Sequence, residues 1–409
     1  MLSANRISGC VSVCFLHFAR SNFSGAQKNL LRLFRNLEET RVRPVLVAQE
    51  EDGLTERARS EGVQTHIVPM DAALAVQDRR LLLPGNWVNR QFVRAVTKYN
   101  RMLLGYLKSD RPDVVWCENI RMFVTAFPAL RLTGLPAIWN VWSEPHGWGA
   151  RILHAWGLCT AQQVHLEYKA QGWTLWGPIY ACERLRRKAV PLYTGVTDFD
   201  EASEQDPRSL LGLGGRTVYL MASNITPGKG QKDLVEAMIE VLSIEPESVL
   251  LLAGAPISGH MASEEYYQHL KGLVAAQGAG QAIRLLGWRQ DIADLLRACD
   301  VYVTSSYTES MPDAVREAMR AGKPVIATDV GGTRELVTPE CGYLFPAGDR
   351  ARLRDLMIRL GKDRCLREKL GQAGKHRIET HFSNRAYAEQ FANAVTQIFG
   401  GDSENGWRP

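Results

Sequence analysis

The chain has 409 residues, 45% of them hydrophobic and 23% charged, with a formal net charge of +5. That length is enough for two domains with substantial cores, and the composition excludes a disordered or low-complexity chain. So small a positive surplus does not by itself suggest nucleic acid, and eight scattered cysteines without a CxxC pair fit neither a zinc site nor a disulfide framework. Mostly reduced thiols in a cytosolic protein is the simpler reading. No apolar run reaches the ~18 residues that a membrane-spanning helix needs.

Arg6 followed by ISGCVSVCFLHF has some features of a signal peptide. His17 interrupts its end and no small-x-small cleavage site follows, so 11–18 reads as a buried first strand. A glycine turn at Ser24-Gly25 and an amphipathic helix over AQKNLLRLFRNLEE come next. Strands follow at 43–49 and 65–70, and again at 112–119 and 136–142. Between them, Arg90, Arg94, Lys98, Arg101 and Lys108 share one side of a helical wheel, with Phe92, Val96, Tyr99, Leu103 and Leu107 on the other. This basic amphipathic helix suits an anionic lipid surface or a phosphorylated acceptor; the competing reading is a surface helix whose apolar side packs on the sheet.

The second half repeats the idiom, with strand-like runs at 217–223, 248–254, 282–288, 300–306 and 324–329 separated by helical segments. Two rounds of strand–helix alternation predict two doubly wound α/β domains with parallel sheets. We place the boundaries at 1–195 and 196–382, with 383–399 a final helix and a frayed tail to 409. In such folds ligands sit beyond the carboxyl ends of the strands, and a cleft between two domains is the natural site.

The stretch SSYTESMPDAVREAM, 305–319, carries Glu309 just before a helix and Glu317 inside it. Ser310 and Asp313 have capping-box spacing, and Pro312 suits a first helical turn. Gly322 before Lys323-Pro324 marks the helix end. Amides at such a helix start favour a phosphate, and Glu317 would accept from a ribose diol. Alternatively Glu317, on the face of Asp313 and away from Val315 and Met319, is an ordinary solvated acid.

The run 309–337 resembles the E-x7-E segment and following Gly-Gly turn of retaining glycosyltransferases of the two-Rossmann-domain (GT-B) type, glycosyltransferase family 4 in particular. Segments 282–306, 223–238 and 24–34 resemble that family's adjoining stretches in the same order. The resemblance implies an acceptor-binding first domain, a nucleotide-sugar-binding second domain facing it across a cleft, and a last helix that crosses back. It implies that Lys229 contacts the donor diphosphate and that Glu309 faces the sugar. Donor contacts are implied at Gly25, Gly230, Ser310, Met311, Pro312 and Glu317, and base contacts near Trp288 and Arg289. Two positions depart from the pattern: Asn224 stands where the family places an arginine, with Arg289 and Arg334 as substitutes, and Trp142 where relatives place a histidine. His146, four residues on, is the replacement we name as catalytic, with Glu144 nearby. Trp139, Trp142, Trp148 and Trp156 would build a sugar-stacking wall or pack in the core.

The expected activity is transfer of a hexose from a UDP- or GDP-sugar to a glycan, lipid-linked or other hydroxyl acceptor with retained configuration. Neither metal nor cofactor is implied beyond the nucleotide-sugar itself. A nucleotide-sugar epimerase, a sugar phosphorylase and a non-catalytic donor-binding protein are the alternatives. A dinucleotide oxidoreductase is disfavoured, because no G-x-G-x-x-G follows the first strand. The expected location is cytoplasmic, peripheral on the inner face of the membrane through the 90–108 helix, with no nucleic-acid partner.

Overall fold

The computed structural model of the chain describes residues 10–18, 25–71, 74, 90–142, 147–196 and 204–400. It divides into two compact units, one formed by Met1–Gly195 with Asn384–Pro409 and the other by Val196–Ser383.

The first unit is built on a sheet of β1 (Val11–Leu16), β2 (Val42–Ala48), β3 (Gln64–Ile67), β4 (Val114–Cys117), β5 (Ala137–Asn140), β6 (Gln163–Leu166) and β7 (Ala189–Pro191). Its order is β3-β2-β1-β4-β5-β6-β7, and every pairing is parallel. The second sheet contains β8 (Thr217–Ala222), β9 (Ser248–Ala253), β10 (Ile283–Gly287), β11 (Val301–Thr304), β12 (Val325–Thr328) and β13 (Gly342–Phe345). Its order, β10-β9-β8-β11-β12-β13, is also wholly parallel. Both are doubly wound, and each reverses its strand order once, between β1 and β4 and between β8 and β11. Strands β6, β7 and β13 were not foreseen from the sequence.

Alternation along β1 shows how the first core is divided. Cys14 and Leu16 point into one layer, with Tyr99, Leu103 and Leu107. Val13 and Phe15 point into the other, with Leu30, Leu33 and Phe34. The helix Asn384–Gly400 completes that second layer with Tyr387, Phe391 and Val395. Its Phe391 ring stacks on Phe15 at 5.5 Å between centroids, so the last helix does return to the first unit.

The helix Arg90–Asp110 corrects the lipid-facing reading. Its apolar side is spent in the core: Tyr99, Leu103 and Leu107 are buried, and Phe92 and Val96 pack against them. Arg94, Lys98, Arg101 and Lys108 are exposed, with only Val93 and Met102 as exposed large apolar side chains beside them, so the basic stripe lacks the broad apolar face that the lipid reading gave it. Asn100, buried in this helix, donates to Thr125 O at 2.8 Å and accepts from Ala129 N at 2.9 Å. It thereby takes up the backbone groups around Pro128, which interrupts the neighbouring helix Ile120–Thr133.

Candidate functional site

The strand reversal in the second unit places the segments leaving β8 and β11 side by side. After β8 the chain runs through Asn224 to a short 3₁₀ turn, Pro227–Lys229, and then the helix Gln231–Leu242. Gln231 is fully buried and donates to Ser223 Oγ and to Asn224 O, at 3.1 and 2.8 Å, which fixes the turn from below. After β11, Ser305 Oγ donates to Gly230 O at 2.8 Å and Tyr307 N donates to Gly228 O at 2.9 Å. Gly230 has φ +67, and a Cβ there would lie 2.1 Å from Ser305 O. The glycine is thus required by the neighbouring backbone and not only by a ligand.

These links bring together two side chains 80 positions apart. Lys229 Nζ donates to Glu309 Oε1 at 2.7 Å, with side-chain exposures of 29% and 13%. A third loop, after β12, supports Glu309 from behind. Gly331 has φ +53, a Cβ on it would fall 1.8 Å from Glu309 O, and Gly332 N donates to Ser310 O at 2.7 Å. Tyr307 donates to Asp233 Oδ2 at 2.7 Å. That hydrogen bond, reinforced by burial and the Asp233 charge, pushes the phenol up to about 12.

The helix after Glu309 begins one step later than expected. It spans Asp313–Arg320, with Pro312 at the N-cap position and no side-chain cap from it. The capping box on Ser310 and Asp313 is therefore out of register, and Pro312 stands before the first turn and not within it. The end is as read: Ala321 closes the helix and Gly322 follows at φ +71. Met311 is buried at 7% exposure. Glu317 is half-buried and not an ordinary solvated acid. Burial is the main influence that raises the Tyr302 phenol far above its usual range, and the charges of both Glu317 and Glu309 add to it. The two glutamates are therefore both near enough to one buried tyrosine for their charges to act on it.

Asn224 is exposed. The two arginines considered as its substitutes are each held by an aspartate. Arg289 donates to both oxygens of Asp291 at 2.7 and 2.5 Å, and Arg334 to both of Asp329 at 3.0 Å. Trp288 is 67% exposed beyond β10, the edge strand, two positions from β8 in the sheet. Gly25 belongs to the first unit, as the exposed first residue of the helix Gly25–Leu37, and a Cβ on it would meet nothing within 4 Å. His146 and Glu144 lie outside the described residues. The four-tryptophan wall is not formed: Trp139 is buried in the core, Trp142 and Trp156 pack against it, and only Trp148 is exposed.

Sequence reading missed a second charged constellation, at the strand reversal of the first unit. His17, at the end of β1, is fully buried. Its Nδ1 lies 2.9 Å from Glu118 Oε2 and its Nε2 2.9 Å from Asp52 Oδ2. Gln27 Nε2 donates to the same Asp52 oxygen at 2.9 Å. Burial pulls the imidazole pKa down. The Glu118 charge and the hydrogen bonds to Asp52 and Glu118 outweigh it, and the pKa rises to about 9. The available signal was a polar residue closing each of two adjacent strands. Among the described residues no group of three or more acidic, histidine or cysteine side chains is arranged to hold a metal ion.

Comparison with known proteins extends the geometry. Residues 24–197 match the family model of a glycosyl transferase 4-like domain, and 203–377 that of glycosyl transferases group 1. A GDP-mannose-dependent monoacylated α-(1-6)-phosphatidylinositol monomannoside mannosyltransferase of Corynebacterium glutamicum is 30% identical over 219 residues, covering 50% of this chain and 55% of that protein. The Escherichia coli UDP-Gal:α-D-GlcNAc-diphosphoundecaprenol α-1,3-galactosyltransferase is 24% identical over 279 residues, 64% of this chain and 69% of that one. The matched stretch thus spans little more than half the length of the first of these relatives. Anabaena HepE, solved in complex with UDP and glucose, superposes with a TM-score of 0.71 at 19% identity, covering 95% of this chain and 100% of that one. At that identity the likeness shows the fold, two Rossmann-like domains of the GT-B kind. With one family matched along each unit, the chain belongs to the group 1 glycosyltransferases, its first unit a glycosyl transferase 4-like domain.

Proposed function

We propose that the protein transfers a sugar from a nucleotide-sugar donor to a hydroxyl acceptor, with retention of configuration. The observation that carries this reading is the Lys229–Glu309 pair, set at the strand reversal of the second sheet and still open to solvent. A diphosphate entering there meets Lys229, whose charge compensates the negative charge that grows on the leaving group as the sugar C1–O bond breaks. The new bond forms from the acceptor oxygen to the same carbon, and the acceptor proton passes to the departing phosphate. In this reading Lys229 takes the part that a metal ion plays elsewhere. Glu309, released from Lys229 by the diphosphate, holds the sugar, and Glu317 holds the ribose diol. They need not act as the acid and nucleophile of a glycosidase.

The relatives include enzymes named for GDP-mannose and for UDP-galactose, so either base is compatible with this scaffold. One is named for a phosphatidylinositol acceptor and the other for an undecaprenol-linked one, which supports a lipid-linked acceptor here. A thermal-shift screen against UDP, GDP, ADP and their common sugars, with and without EDTA, tests the reading. We expect one nucleotide to raise the melting temperature, EDTA to leave the shift unchanged, and Glu317→Ala to weaken donor binding by about tenfold or more, as for a lost charged hydrogen bond. Unchanged donor affinity in Glu317→Ala would remove that residue from the site.

A further inference from the structure

Four large apolar side chains stand in solvent around the segments that leave β5 and β6 in the first unit. Trp148 is 79% exposed, Ile152 60%, Trp173 51% and Ile179 45%. Trp148 and Ile152 are one turn apart on the helix Trp148–Thr160 and share a side of it. Ile152, Trp173 and Ile179 line a single open groove of about 330 Å³, together with Arg151 and Trp176. Isolated surface hydrophobics need no explanation, but a continuous apolar patch marks an interaction site.

The chemistry around the groove narrows the partner. Residues 147–188 carry six basic residues (Arg151, Lys169, Arg184, Arg186, Arg187 and Lys188) against two acidic ones, Glu167 and Glu183. Their balance of +4 is most of the +5 of the whole chain. Charge and apolar surface are also contiguous. The Trp173 ring meets Tyr180 edge-on at 5.4 Å, and Arg186 is close enough to Tyr180 for its charge to oppose the rise that burial causes in the phenol pKa. Exposed tryptophans beside one-signed basic residues suit the headgroup region of an anionic bilayer, where an indole sits at the boundary and Lys or Arg meets lipid phosphate. A protein partner would use tryptophan and arginine too, but it gives no reason for so one-sided a charge.

We infer that this face, from Trp148 to Lys188, docks the protein on anionic lipid. The helix Arg90–Asp110 has charge but only Val93 and Met102 as exposed large apolar side chains, at 49% and 37%; this face joins its charge to two exposed tryptophans and an apolar groove.

The test is flotation of the full chain with phosphatidylcholine vesicles, with and without phosphatidylglycerol, at low and high salt and without nucleotide. Binding to the phosphatidylglycerol vesicles, weakened by salt, is expected. Trp148→Ser with Trp173→Ser should reduce it by about tenfold or more, from lost apolar burial. Arg184→Glu with Arg186→Glu should do the same through charge, whereas Arg94→Glu with Lys98→Glu should leave it unchanged. All of these positions are exposed, so each variant should melt like the parent. If a tryptophan variant does not, the arginine pair decides. No vesicle binding, equal binding by the arginine variants, or a dimer of this chain that Trp148→Ser dissociates would each overturn the inference. Because no donor is present, failure here leaves the transfer reading intact.

Discussion

The two sheets reverse at equivalent places, and each reversal brings a cation and a carboxylate together with opposite consequences. In the first unit His17 and Glu118 have 0% and 3% side-chain exposure, and Asp52, Gln27 and Gln49 complete the network. Phe18 N also donates to the Glu118 oxygen, at 2.8 Å. Charges taken so far from water persist only when they find partners, and here both His17 nitrogens, both Asp52 oxygens and Glu118 Oε2 do. In the second unit Lys229 and Glu309 keep 29% and 13% exposure. Their loops are fixed through backbone contacts at Gly230 and Gly331, so the side chains do not have to provide that rigidity. A charged pair at a strand reversal is therefore not in itself a binding site; access separates a pair sealed among loops from one that a ligand can reach.

The strongest way to break this contrast is to remove His17. His17→Ala leaves Glu118 and Asp52 buried without their cation and should cost about 3–5 kcal/mol. Urea unfolding followed on the first unit, read as a multi-step transition, measures it, and the nucleotide-induced thermal shift should survive at low temperature. Lys229→Ala should do the reverse. We expect the melting temperature to move little and transfer to fall by about 10²–10³-fold in kcat/KM, the scale of a lost transition-state charge contact. Equal effects of the two variants on stability would abolish the distinction.

Alkaline pH sharpens it. The folded His17 pKa of about 9 lies above the ordinary 6.5, so its stabilising contribution is complete below the ordinary value and is lost as the pH rises through about 9. The full shift corresponds to about 3 kcal/mol. Thermal melts across that window should show the first unit weakening, and His17→Gln should flatten the profile. The smallest effect is expected at Gly230→Ala, where φ is +67 and Ser305 O is in the way. A cost of about 1–3 kcal/mol is the scale for such strain, and kcat/KM should drop with it because Lys229 is displaced.

Much of this was legible in the sequence. The apolar alternation that divides β1 between two layers, the strand–helix rhythm and the Ala321-Gly322 helix end are local signals, and each was readable. Strand β6 was not. Its Gln163 and His165 are polar but buried, and their partners are remote. Trp116 Nε1 donates to His165 Nδ1 at 3.3 Å, so His165 Nε2–H donates to Gln163 Oε1 at 2.8 Å, and Gln163 Nε2 donates to Ala394 O at 3.1 Å. Burial holds His165 down to about 3, which keeps it neutral in this relay. The site divides in the same way. Lys229 and Glu309 stand out through neighbouring residues, whereas their pairing depends on Ser305, Gly331 and the sheet order. The basic helix at 90–108 misled because periodicity reveals an apolar side without telling what covers it.

The return of the helix Asn384–Gly400 to the first unit has a consequence for synthesis on the ribosome. The face formed by Phe15, Phe34 and Trp116 is translated early, yet Tyr387, Phe391 and Val395 emerge only after all of Val196–Ser383 has been made. The second unit can close on its own residues while the first waits with an uncovered aromatic surface. A nascent chain stalled before Asn384 would carry that surface to chaperones, and the order of completion runs against the order of translation.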